Sequence, residues 1–185
     1  MSTIQYEQAI DEFRKVLAAG TPDQYGDTTP CASFNVAQLV DHTIGTQLMI
    51  IDALQDKPFN LTGVEVAPGE QAAAFDRAAA DAVAELNRDG AMTKGVTLPF
   101  GSFTGEQLMG LGVLDTFQHA WDLAKATGQD TDLGPEMAEA LMGPAVAHMD
   151  HVPRGPEPAP YAPEQPVPDG ASAADRLAAF LGRAV

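Results

Sequence analysis

Apolar residues recur at helical spacing through most of the chain. In residues 4–19 (IQYEQAIDEFRKVLAA), Ile4, Ala9, Phe13, Val16 and Leu17 fall on one side of a helix, which Gly20 and Pro22 end. A polar loop rich in turn formers follows. Ser33 is then placed to cap a long second helix, SFNVAQLVDHTIGTQLMIIDALQ, which stops before Lys57-Pro58 because the residue ahead of a proline avoids helical angles. Residues 58–67 read as a connector. A third helix is predicted from Pro68 through EQAAAFDRAAADAVAELNRD, closed by a left-handed Gly90.

The period breaks at residues 91–103 (AMTKGVTLPFGSF), where β-branched residues, two glycines and a proline predict an extended piece or hairpin. Thr104-Gly-Glu-Gln107 is a capping box opening a fourth helix through LMGLGVLDTFQHAWDLAKAT to Gly128. Pro135 suits the first position of a fifth, PEMAEALMGPAVAHM, which Gly143-Pro144 is expected to kink. Residues 152–171 carry seven of the 14 prolines, the composition of an extended strap, and Ser172-x-x-Asp175 caps a short last helix. The pattern predicts an all-α fold: a four-helix bundle over residues 1–151, with the strap and short helix of 152–185 packed on it.

Composition narrows the partners. The 185 residues carry 26 acidic and 10 basic side chains, a net charge of −16, so nucleic acid and anionic membrane surfaces are not expected partners. No apolar run approaches the roughly 20 residues that cross a bilayer. The single cysteine, Cys31, rules out an intrachain disulfide and suits a reducing, cytoplasmic setting.

Candidate chemistry lies on the fourth helix. At about 100° per residue, Asp115, His119 and Asp122 cluster within about 60°. Asp115 and His119, one turn apart, can chelate one metal ion; Gly112, a turn earlier, would leave room for a ligand. The simpler reading makes the three polar residues the solvated face of an amphipathic helix, with Gln118 and Lys125 beside them and Val113, Phe117, Ala120 and Ala124 opposite. On the second helix, His42 sits about 60° beyond Leu39 at the edge of the apolar stripe. There it is either a hydrogen-bonded boundary residue or a third ligand. Trp121, about 160° from His119, reads as core. His148 and His151 read as a surface pair beside the strap rather than as a second metal site. Cys31, just ahead of the second helix, reads as a small packing residue, or as a thiol whose pKa the helix N-terminus lowers.

Three phrases in order carry a family resemblance. TPCASFNVAQLVDHTIG resembles the segment that opens the second helix of the DinB-like superfamily, and GVLDTFQHAWDLAKATGQDTDLGPEMAEAL resembles its counterpart in the mycothiol-dependent maleylpyruvate isomerase-like branch. The tail, ending in DRLAAFLGR, is similar to stand-alone actinobacterial members of that branch. The resemblance implies a bundle with a long crossover connection, and a divalent metal, zinc or nickel, held by His42, Asp115 and His119 with water completing the shell. The family's usual glutamate is one methylene longer than Asp115, so here the helices must approach closer or a water must intervene. The isomerases also use a further C-terminal domain, so maleylpyruvate isomerisation is not part of the expectation.

Such a site would hold the sulfur of a small thiol, mycothiol being the implied cosubstrate, against an electrophile: a metal-dependent thiol S-transferase. Hydrolysis is a competing use, with Asp122 or Asp41 relaying a proton. Asp122 alternatively orients His119 from behind or meets solvent. A non-catalytic metal-binding bundle with a structural or sensing role, and a homodimer, are the other readings left open.

Overall fold

Short polar side chains at the helix starts satisfy backbone N–H groups that lack a carbonyl partner. In the computed structural model, which describes residues 1–58, 64–150, 152–156, 159 and 161–185, capping boxes open three helices. Ser2 with Gln5 opens α1 (Thr3–Ala19), Asn35 with Gln38 opens α2 (Val36–Leu54), and Thr104 with Gln107 opens α4 (Gly105–Ala126). Asn35, not Ser33, caps α2, because Ser33 and Phe34 belong to a turn closed by the Phe34 N–H donating to the Cys31 carbonyl. The third helix, α3 (Gln71–Leu86), is also shorter than the pattern predicts. Residues 67–70 form a turn ahead of it, and left-handed Gly90 lies beyond its end. The connector placed at 58–67 falls in part outside the described residues.

The predicted break is a hairpin: β1 (Gly95–Leu98) pairs antiparallel with β2 (Gly101–Thr104), Val96 opposite Phe103. Pro135 stands at the first turn of α5 (Pro135–Met149), and Pro144 lies inside it. Ser172 caps α6 (Ala173–Phe180) by accepting from the Asp175 N–H. The described residues are thus mostly helical, with one small two-stranded sheet.

The four long helices close a ring: α1 packs on α4 and α3, and α2 on the same two. Tyr6, Phe13, Leu39, Phe75, Phe117 and Trp121 fill the middle, with the Phe13 and Phe75 ring centroids 4.6 Å apart. Burying such a side chain is worth about 1.5–3 kcal/mol. Ile4, expected on the buried face of α1, is 66% exposed, because the inward stripe runs instead through Tyr6, Ala9, Ile10 and Phe13. Trp121 is core as its wheel position predicts, and its indole N–H donates to Asp175 of α6 at 2.8 Å.

α5 and α6 pack on each other and on α4. The strap is tied to α6 by Arg154, whose guanidinium donates to the Phe180 carbonyl at 2.6 Å and stacks over the Phe180 ring. α6 ends in a Schellman turn: Gly182 N–H donates to the Ala179 carbonyl and Arg183 N–H to the Ala178 carbonyl. Gly182 has φ +93, and a Cβ there would stand 2.6 Å from the Ala162 carbonyl oxygen, so only glycine fits. This turn sends Arg183 back toward α4. No helix among the described residues is long and apolar enough to cross a membrane.

Candidate metal centre

α2 and α4 run antiparallel and meet at His42, Asp115 and His119. The Asp115 Oδ1 atom lies 3.3 Å from His42 Nε2 and 3.5 Å from His119 Nε2, and one ligand atom from each of the three side chains lies within 4.8 Å of the others. The two imidazoles meet edge to face with centroids 4.9 Å apart, and Phe34 stacks on His42 while meeting His119 edge-on at 6.3 Å. Thr46, one turn along α2 from His42, donates to Asp115 Oδ2 at 2.9 Å. That bond turns Oδ1 toward the histidines. Helical spacing alone places Thr46 on the His42 face, so its place beside the cluster is legible in the sequence.

The solvated-face reading of α4 does not hold. Gln118, His119 and Asp122 are all buried, and Asp122 is wholly so. Its carboxylate accepts four hydrogen bonds. Gln118 Nε2 (3.3 Å) and Arg183 Nε (3.1 Å) reach Oδ1, while His119 Nδ1 (3.0 Å) and Arg183 Nη2 (3.1 Å) reach Oδ2. A carboxylate only accepts, so His119 carries a hydrogen on Nδ1 and turns Nε2 toward the cluster. Between the alternatives left open for Asp122, the geometry therefore favours the orienting one.

The charges are strongly coupled. Burial alone would raise the Asp115 carboxyl, but His42 and His119 outweigh it and hold Asp115 well below the usual carboxylate range. Burial alone would lower His119, yet the Asp115 and Asp122 carboxylates push it up to about 9. For Asp122 too, burial is overcome, by the His119 hydrogen bond and the Arg183 charge, and its pKa falls.

Gly112 departs from expectation. It leaves no room for a ligand: a Cβ there would stand 2.7 Å from Ile50 Cδ1 of α2 and 3.1 Å from Tyr6 Cε2 of α1. Its bare backbone lets α4 close on α2 one turn from Asp115, which is how a short carboxylate reaches both histidines without an intervening group. Beneath the cluster, Tyr6 donates to Gln47 Oε1, and Gln47 Nε2 donates to Thr116 Oγ1 at 3.0 Å and to the Thr43 carbonyl at 3.2 Å. This buried polar chain joins α1, α2 and α4.

A cavity of about 400 Å³ opens over the cluster. His42, Asp115 and His119 line it, with Phe34 and Leu114, and the C-terminal segment adds Tyr161, Leu181 and Arg183. Cys31 lines it too, five residues ahead of α2 rather than at its N-terminus, and burial raises its thiol pKa rather than lowering it. The activated-thiol reading is therefore corrected. Asp41 does not reach the cavity; its Oδ2 accepts from the Val66 N–H at 3.4 Å, which removes it as a proton relay there. His148 packs edge-on against Tyr161, and its proposed companion His151 lies outside the described residues.

Comparison with known proteins bears on this geometry. Two Mycobacterium tuberculosis proteins from different strains, the uncharacterized proteins MT0763 and Rv0738, are each 37% identical to this chain over 182 residues, covering 97% of it and 96% of their own lengths. No solved structure matches. Residues 6–124, which span α1 to α4 and hold the whole histidine–carboxylate cluster, match the model of the mycothiol maleylpyruvate isomerase N-terminal domain. The chain belongs to that family, a DinB-like one.

Proposed function

We propose that the protein binds a divalent metal through His42 Nε2, Asp115 Oδ1 and His119 Nε2 and serves as a metal-dependent thiol S-transferase for a low-molecular-weight thiol such as mycothiol. The observation that carries this is the convergence of the three ligand atoms within 4.8 Å in the lining of the cavity. The family supports the thiol, and the ring of long helices supports a four-helix bundle of DinB type with a long crossover connection.

The donor set fits the ion. Ligands about 2.0–2.1 Å from a tetrahedral zinc lie about 3.4 Å from one another; the two pairs about Asp115 Oδ1 stand at 3.3 and 3.5 Å, and the two histidine nitrogens, within 4.8 Å, would draw together on the ion. Two neutral imidazoles and one carboxylate suit zinc or nickel, and three protein ligands leave a coordination position open toward the cavity. When bound, such an ion stabilises a thiolate at neutral pH.

The rest is work for this chain's own residues. Thr46 and Asp122 fix the rotation of Asp115 and His119, so the ligand atoms are presented before any ion arrives. Phe34 holds the His42 ring by stacking. Leu114, Leu181 and the ring of Tyr161 give the thiol and its electrophile a partly apolar chamber. The acceptor reacts there as a carbon–sulfur bond forms and its leaving group departs.

The test uses protein purified without a histidine tag. Elemental mass spectrometry should find a stoichiometric divalent ion, and mycothiol with a chlorodinitroarene should give thiol-dependent turnover. Both should be lost in His42→Ala. Stoichiometric metal without turnover against a panel of electrophiles would assign a binding role instead, and no metal after reconstitution with zinc or nickel would reject the reading.

A further inference from the structure

We propose that Arg183 is a positioning residue for the metal centre, acting on His119 through Asp122, and that the C-terminal segment is thereby part of the site. The inference rests on the metal-binding reading above.

Arg183 is only 7% exposed and lines the cavity. Its Nε and Nη2 grip both oxygens of Asp122 at 3.1 Å, and Nη1 donates to the Leu181 carbonyl at 3.3 Å, which anchors the guanidinium to the Schellman turn. Asp122 in turn holds His119 Nδ1 at 3.0 Å. The line therefore runs from a turn at the end of α6, through a planar two-point ion pair, to the ring that presents Nε2 to the cluster.

A fully buried carboxylate left with only the Gln118 amide and the His119 imidazole as donors would lack the fixed charge that offsets its burial and the two-point grip that sets its rotation. Arg183 supplies two of its four hydrogen bonds and, among the described residues, its one cationic partner besides a protonated His119. Without it, the carboxylate would turn toward whatever water the cavity admits, and the His119 ring would lose the acceptor that sets its angle. Lysine would restore charge at one point but not the planar grip.

The position of the α6 turn follows from the same argument. Gly182 takes the left-handed conformation that redirects the chain, and its missing Cβ lets the turn lie against Ala162 of the strap. The strap, α6 and the turn together aim one guanidinium at one buried carboxylate, some distance in sequence from any ligand.

Zinc affinity, measured by competition with a chromophoric chelator, and the visible spectrum of the cobalt-substituted protein test this. Arg183→Met should weaken zinc about 10- to 100-fold, the usual effect of losing a partner behind a metal-bound histidine, and shift the cobalt bands. Arg183→Lys should recover part of the affinity. In an Asp122→Ala background, Arg183→Met should cost nothing further, because its effect runs through that carboxylate. Affinity of Arg183→Met within twofold of the parent, or losses from the two substitutions that simply multiply, overturns the proposal. Should Arg183→Met fail to fold, Arg183→Lys carries the test: several-fold weaker zinc with an unshifted melting temperature of the metal-free protein supports it, and unchanged zinc affinity overturns it. If the parent itself binds neither zinc nor nickel, the metal reading fails and this inference goes with it; if the parent binds and the Arg183 variants bind as tightly, the failure is confined to Arg183.

Discussion

At the scale of single residues, His119 ties the site to pH. In the metal-free protein its pKa stands at about 9, above the roughly 6.5 of an unfolded histidine, because Asp115 and Asp122 outweigh burial. The stabilisation it gives is fully present below about pH 6.5 and is lost as pH rises through about 9, on the order of 3 kcal/mol in all. Metal binding has the opposite dependence, since an ion must displace the proton on a ligand nitrogen. Thermal melts from about pH 6 to pH 10 should therefore show the metal-free protein weakening while the zinc-bound protein gains on it. Parallel curves would mean that His119 does not carry the proton. Much of this cluster was legible in the sequence: Asp115 and His119 by their one-turn spacing, His42 by its place at the edge of an apolar stripe. The burial of Asp122 was not, because a charged residue beside Gln118 and Lys125 reads as solvated, and only an arginine 61 positions later makes its burial tolerable.

At the scale of elements, the approach of α4 to α2 is set by Gly112 and matched to the length of Asp115. Gly112→Ala forces its new methyl against Ile50 and Tyr6, an overpacking that should cost about 1–3 kcal/mol by urea unfolding and move Asp115 away from His42. Asp115→Glu alone should crowd the cluster and weaken zinc. Placed in the Gly112→Ala background, the longer carboxylate should recover affinity relative to Gly112→Ala alone, as isothermal titration would show. A double variant weaker than both singles would mean that Gly112 serves packing only. The helices themselves were legible from their periodicity and from capping residues such as Thr104 and Ser172. Gly112 was misread because a glycine on a helix face looks the same whether it faces a ligand or another helix.

At the scale of the whole molecule, the C-terminal segment is fastened to α4 by two polar joints: Trp121 to Asp175, which is half-buried, and Asp122 to Arg183, which is buried. They leave α4 from adjacent residues. Trp121→Phe deletes the first joint while keeping most of the ring volume, and should lower stability by about 1.5–3 kcal/mol. Hydrogen–deuterium exchange should quicken in α6 more than in α1 or α3. Uniform change across the chain would show instead that α6 opens only with global unfolding. The convergence of strap, turn and α4 on one cavity had no signature in hydrophobic patterning, because a proline-rich segment announces only that it is extended, not which surface it crosses.

The Tyr6–Gln47–Thr116 chain has one more consequence. It spans three helices just under the cluster, and its partners meet only when those helices stand at matching heights. Sliding any of them by a single residue, about 1.5 Å, would leave buried donors and acceptors unpaired. The chain thus serves as a dowel that indexes the helices, so His42 and Asp115 stay level whether or not an ion is present. On the proposed metal-binding reading, loading and release of an ion would then require no rearrangement of the scaffold, and exchange should be as quick as access through the cavity mouth permits.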